Sequence, residues 1–226
     1  GQLYTREDGK TPDEVWPTLA RFYKAGYKAV KDVNPDSQVI IHLDGGGDYN
    51  KYTNYFDHLK NLGANFDIIG SSYYPYWTKE AGTCAKDIMG FCNYLIDRYD
   101  RDIVFMETGF NFNPTKPDGW PGQLEDNGVY EGVYASSQEG QKAFLVELFN
   151  ALQNVKDGRG IGDLYWDPVM VAQEGVGCAY SEDGDYVQGN VVSNTTLFDF
   201  DHKAVKAQDA YSGFYRNAEV NKLDLD

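Results

Sequence analysis

The chain has 226 residues, 42% of them hydrophobic, enough for one substantial core, and no apolar run reaches the roughly 18 residues that a membrane span needs. That run length gives no reason to expect a membrane partner, and a formal net charge of −15 repels phosphate backbones, so nucleic acid is not an expected partner and the balance suits action on a neutral ligand. Three cysteines leave at least one unpaired and none has a ligand-spaced partner, so no metal centre is expected.

In chain order, residues 12–33 read as a helix, with Thr11 as N-cap, Glu14 completing a capping box, and Val15, Leu19, Phe22 and Tyr23 at helical spacing. Asn34-Pro35-Asp36 stops it. A β-branched strand at 38–43 breaks into Asp44-Gly45-Gly46-Gly47-Asp48, and a helix at about 49–62 ends at Gly63. The second strand, 66–72, runs into Tyr73-Tyr74-Pro75-Tyr76-Trp77. A helix at 86–99, a strand at 102–107, a Gly/Pro/Asn-rich loop at about 110–135, a helix at 138–155 and a strand at 161–166 follow. An irregular stretch at about 167–193 precedes a last helix at roughly 203–215. Cys84 and Cys92 could bridge if the segment between them loops, whereas on one straight helix they would stand about 12 Å apart, too far. Asn194-Thr195-Thr196 has the form of a glycosylation acceptor.

Alternating helices and nearly continuous apolar strands mean an α/β fold with a parallel sheet buried on both faces. Two architectures fit, an open doubly wound sheet and a (β/α)8 TIM barrel. The glycine run after the first strand lacks the GxGxxG spacing of a dinucleotide site. Every strand leads into a polar or aromatic cluster at its C-terminal end, where barrel enzymes build their sites. Only four strands are visible where a barrel needs eight and about 250 residues, so residues 1–226 read as one partial domain, the C-terminal half of a barrel.

Four strand ends carry the candidate chemistry. Glu107 ends an apolar strand, where desolvation raises a carboxyl's pKa and neighbouring donors hold it ionised and aimed; the alternative is a surface strand cap. Ser72, Tyr74 and Trp77 form a second cluster and Trp166 with Asp167 a third; their rings suit sugar faces, or else ordinary packing. His42 and Asp44 share strand parity and could both bond sugar hydroxyls, although a lone strand histidine is more often structural.

Taken together, the segments 66–77 (FDIIGSSYYPYW), 104–109 (VFMETG), 161–168 (IGDLYWDP) and 197–200 (LFDF) resemble glycoside hydrolase family 53, the endo-β-1,4-galactanases, over essentially the whole chain. The resemblance implies strands five to eight of a TIM barrel, a retaining mechanism with Glu107 as nucleophile, β-1,4-galactan of type I arabinogalactan as substrate, and a secreted, periplasmic or cell-surface location. It further implies that the acid/base glutamate lies a few residues before Gly1, in an N-terminal half of the barrel missing from this sequence. Retaining hydrolysis needs two carboxyls about 5–5.5 Å apart, and Glu7 and Glu14, in polar loop and helix-cap contexts, are poor substitutes. Asp167 stands where the family often has glutamate. Some relatives bind calcium in the loop after strand seven, but Asp118, Glu125 and Asp126 do not match that pattern, so no cofactor is expected. The alternatives are an inactive galactan-binding half-barrel and a related enzyme cutting another β-glycan such as mannan or β-glucan.

Overall fold

The computed structural model describes residues 12–77, 85–114, 133–171, 179–180, 186–187 and 192–216. The chain opens with α1 (Pro12–Val33), then builds a repeating strand–helix unit: β1 (Ile40–Leu43), α2 (Tyr49–Asn61), β2 (Ile68–Tyr73), α3 (Ile88–Tyr99), β3 (Asp102–Thr108), α4 (Gln138–Gln153) and β4 (Gly160–Tyr165). A two-stranded ribbon, β5 (Ala179–Tyr180) and β6 (Tyr186–Val187), lies in the stretch expected to be irregular, and α5 (Gln208–Arg216) closes the described chain. The four long strands form one parallel sheet in the order β1-β2-β3-β4, the sequential order expected of a barrel segment. A doubly wound sheet would change direction at a switch point, and none occurs here.

Strand parity divides the sheet. Ile41, Ile69, Tyr73, Ile103 and Phe105 enter the core shared with the helices. The helices answer at their own period: Tyr52, Tyr55, Phe56 and Leu59 are buried on α2, and Ile88, Phe91, Cys92, Leu95, Ile96 and Tyr99 on α3. Much of the 15% aromatic content is spent here. Tyr52 meets Phe91 edge to face at 4.9 Å between ring centroids, and Phe110 stacks on Phe144 at 5.4 Å. The other face carries Ile40, His42, Ile68, Gly70, Ser72, Val104 and Met106. Gly70 is required there, because a Cβ would stand 2.8 Å from both Ile40 Cγ2 and Met106 Cγ.

Caps set the helix starts. Asp48 Oδ1 accepts from Lys51 N at 2.8 Å ahead of α2, and Ser137 Oγ accepts from Gly140 N at 3.0 Å ahead of α4. The last helix begins at Gln208, later than its periodicity suggests, because residues 199–205 are held by an Asp199-centred turn: Asp199 Oδ1 accepts from Asp201 N and Lys203 N. Cys92 is buried and free, so the Cys84–Cys92 bridge is not formed; Cys84, Cys178 and the expected Thr11–Glu14 capping box lie outside the described side chains. Asn194 is fully buried and its Nδ2 donates to the Asn113 carbonyl at 3.1 Å, which seals the acceptor sequence against glycosylation in the folded chain. No described helix is long and apolar enough to cross a membrane.

Candidate active site

The C-terminal ends of the strands gather the candidate residues on one rim. Pure alternation along β3 would put Glu107 on the same side as Ile103 and Phe105, against the helices. A bulge prevents this. Phe105 pairs with Ser71 and Glu107 with Ser72, leaving Met106 as an extra residue, and the same irregularity recurs against β4 between Phe105 and Thr108. Glu107 therefore faces the way Ser72 does, toward the interior that a closed barrel would have, while Thr108 turns back and its Oγ1 donates to the Tyr73 carbonyl at 2.8 Å.

Tyr74 stands over the carboxylate, its hydroxyl 3.5 Å from Glu107 Oε2. Burial, and then the negative charge of Glu107, push the Tyr74 hydroxyl above its ordinary pKa, with Asp167 adding in the same sense. It is thus a protonated donor at any working pH. Trp77 follows from the turn in which its N–H reaches the Tyr74 carbonyl at 3.0 Å; its ring lies 5.0 Å from Tyr74 and is half exposed, as is Trp166 on the far side of Glu107. Trp166 is joined to β3 by its N–H donating to the Thr108 carbonyl at 2.8 Å, and the Trp166–Asp167 peptide is cis. Gly109 lets these two strand ends touch: a Cβ there would stand 2.8 Å from the Trp166 carbonyl oxygen and 3.3 Å from Tyr74 Cε1.

On the β1 side, His42 Nε2 and Ser72 Oγ share a hydrogen bond of 2.7 Å, and the exposed ring edge of His42 faces the same interior as Glu107. Asp44 does not continue that face. β1 ends at Leu43, so strand parity no longer applies, and Asp44 pairs with Lys51 of α2 at 2.7 Å. Sequence reasoning passed over three supporting residues. Gly46, whose N–H donates to the Ser72 carbonyl at 2.7 Å, packs too closely on Ser71 for any side chain. The Tyr52 hydroxyl donates to the Leu43 carbonyl at 2.5 Å and meets Ser71 Oγ at 2.7 Å, locking β1 to β2. Gln141 is a buried polar residue in the first turn of an otherwise apolar helix face, and that misfit was its only signal in the sequence. No group of three or more potential metal ligands occurs among the described residues, and Asp118, Glu125 and Asp126 lie outside them.

A sequence model of glycosyl hydrolase family 53 matches residues 3–211. The chain belongs to that family. Among proteins it resembles, an "uncharacterized protein in bgaB 5'region" of Niallia circulans is 32% identical over 188 residues, 83% of this chain and 48% of that protein. Arabinogalactan endo-beta-1,4-galactanase A of Aspergillus niger is 28% identical over 200 residues, covering 84% and 53%. Among solved structures, the Ignisphaera aggregans GH53 catalytic domain superposes with a TM-score of 0.76 at 30% identity, covering 88% of this chain and 52% of that one. This family-53 chain therefore spans about half the length of the relatives it matches, and its four-stranded parallel sheet is half of a TIM barrel.

Proposed function

We propose that these residues form the nucleophile-bearing half of a retaining endo-β-1,4-galactanase that cleaves internal bonds of β-1,4-galactan. The observation that carries the proposal is Glu107, turned inward by the β3 bulge, beneath the protonated Tyr74 hydroxyl and between two half-exposed tryptophans.

The chemistry is a double displacement. A Glu107 carboxylate oxygen attacks C1 of a galactosyl unit as the C1–O bond to the leaving sugar breaks, and that oxygen takes a proton from a second carboxylic acid. Water then attacks C1 of the glycosyl ester, giving its proton to the second carboxylate and releasing Glu107. Tyr74 steadies the charge on Glu107 before attack and is free to follow the oxygen as the ester forms. Trp77 and Trp166 offer flat apolar faces to galactose rings, and His42 and Ser72 offer hydroxyl partners. Asp167 stands near enough to Tyr74 to raise its pKa, and we assign it to a substrate hydroxyl; Asp44, paired with Lys51, takes a hydroxyl only from the outer rim. The second carboxylate comes from outside these residues, on polypeptide completing the barrel. Because the polymer is extracellular, we place the enzyme outside the cytoplasm.

Reducing-sugar release by the full-length protein from β-1,4-galactan, with mannan and β-glucan as controls, tests this. Galactan-selective release that Glu107→Gln abolishes is the expected outcome. Binding of galactan without release would make the site a lectin-like remnant, and equal turnover of mannan would overturn the substrate assignment.

A further inference from the structure

On the helix-facing side of the same strand ends lies a polar knot in an apolar surrounding. Gln141 has no exposed surface, and its Nε2 sits among four acceptors: the Tyr165 hydroxyl at 2.9 Å, the carbonyls of Phe110 and Thr196 at 3.1 Å, and that of Thr195 at 3.2 Å. Four acceptors around one nitrogen fix which end of the amide points there, since an oxygen would be repelled by three carbonyls. The Tyr165 hydroxyl donates to the Thr195 carbonyl at 2.6 Å, lies 3.0 Å from the Phe110 carbonyl and accepts from the Phe110 N–H at 3.1 Å. Phe112 N–H adds a bond to the Asn194 carbonyl at 2.9 Å. Four elements thus meet at two side chains: the first turn of α4, the segment three residues past Glu107, the last residue of β4 before Trp166, and the 192–196 turn.

We propose that Gln141 and Tyr165 are positioning residues that hold the Glu107 strand end and the Trp166 strand end at one fixed separation, so that the nucleophile and the aromatic platform address the same sugar ring. The physical need is specific. The ladder between β3 and β4 is irregular at this level, pairing Phe105 with Asp163 and Thr108 with Tyr165 across an extra residue, and it resumes only at the strand ends, where the Trp166 N–H meets the Thr108 carbonyl just ahead of Phe110. The Gln141 amide and Tyr165 hydroxyl carry that link past the ladder to Phe110 with side-chain bonds in a buried site, where such bonds are directional and costly to break. Neither residue touches substrate.

The inference rests on Glu107 being the nucleophile, and the test separates the two. The full-length protein is treated with 2,4-dinitrophenyl 2-deoxy-2-fluoro-β-galactobioside, whose leaving group needs little acid help, so the inactivation rate constant reads attack by the nucleophile. Intact mass gives the fraction of chains labelled, which counts competent sites. In Gln141→Leu the inactivation constant per labelled site is expected to fall by at least ~10-fold with its concentration dependence unchanged, since a displacement near 1 Å can cost about 10²-fold. Tyr165→Phe, which keeps the ring in the core, is expected to show a smaller fall of the same kind. Gln141→Glu keeps the shape, and burial among carbonyl oxygens favours its protonated, donating form. Its constant is expected above that of Gln141→Leu, declining toward high pH on a limb absent from the wild type. If Gln141→Leu and Tyr165→Phe lose only melting temperature or labelled fraction while each labelled site reacts at the wild-type rate, the two residues are structural and the inference is overturned. If Glu107→Gln still becomes labelled, it is the nucleophile assignment that fails.

Discussion

A hydroxyl can steady a carboxylate only while it keeps its own proton, and the burial of Tyr74 guarantees that. Tyr74→Phe is expected to lower kcat on galactan by about 10–100-fold with a smaller change in KM, somewhat less than the ~10²–10³ lost with a well-aligned oxyanion donor, because the 3.5 Å contact is long before substrate arrives. Gly109 offers a steric counterpart. Gly109→Ala drives a methyl against the Trp166 carbonyl, and overpacking of this kind costs about 1–3 kcal/mol, measurable by urea denaturation. Gly90→Ala is the control: its methyl meets only the Tyr49 hydroxyl, at an ordinary 3.5 Å, and inside α3 alanine is expected to stabilise by about 0.5–1 kcal/mol. Asp163 carries the third residue-level prediction. Burial raises its carboxyl to about 6 although Tyr211 donates to it at 2.7 Å. The folded chain thus holds a proton there that the unfolded chain releases near pH 4, so the group favours folding below pH 4 and that benefit is lost as pH rises to about 6. Asp163→Asn is expected to flatten this slope and to raise stability at pH 7 by up to about 3 kcal/mol, read from thermal melts across that pH range.

Every βαβ unit was visible from hydrophobic period alone, because buried parallel strands are short apolar runs and α2 and α3 repeat their apolar residues at helical spacing. Strand ends moved by one or two residues, and α5 began late, since the side-chain turn at Asp199 competes with helix in a way that periodicity does not register. The sequence places the candidate residues at strand ends, but the aim of Glu107 was not derivable from alternation. Met106 and Glu107 are adjacent, and only a bulge lets both face the interior; nothing in VFMETG distinguishes a bulged strand from a regular one. Gln141 was hidden for a related reason. Its partners are the carbonyls of Phe110, Thr195 and Thr196, and backbone acceptors leave no trace in a sequence. Asp44 shows the opposite failure, where parity was carried one residue beyond the strand that justified it.

The sheet presents two edges, β1 and β4, and the residues beside them are apolar where solvent would ask for charge: Ile40 is 38% exposed, Ile161 48% and Leu164 49%. The helix preceding β1 repeats the pattern, with Phe22 and Val33 of α1 standing 53% and 88% exposed. Native edges are usually protected by charge, proline or a covering element, and an apolar edge with free N–H and C=O groups pairs with whatever strand it meets. In a closed barrel the same groups would lie in the ladder, and the same side chains in the core, of the other half. These 226 residues expressed alone are therefore expected to self-associate, with an average mass in sedimentation equilibrium that rises with concentration. Co-expression with a polypeptide supplying the first four strands is expected to abolish that rise and to restore galactan cleavage. A chain that stays monomeric at 25.5 kDa, folds cooperatively and resists association across the concentration range would show that the half-barrel is complete as a folding unit, and the exposed edges would then need another explanation than the absent strands.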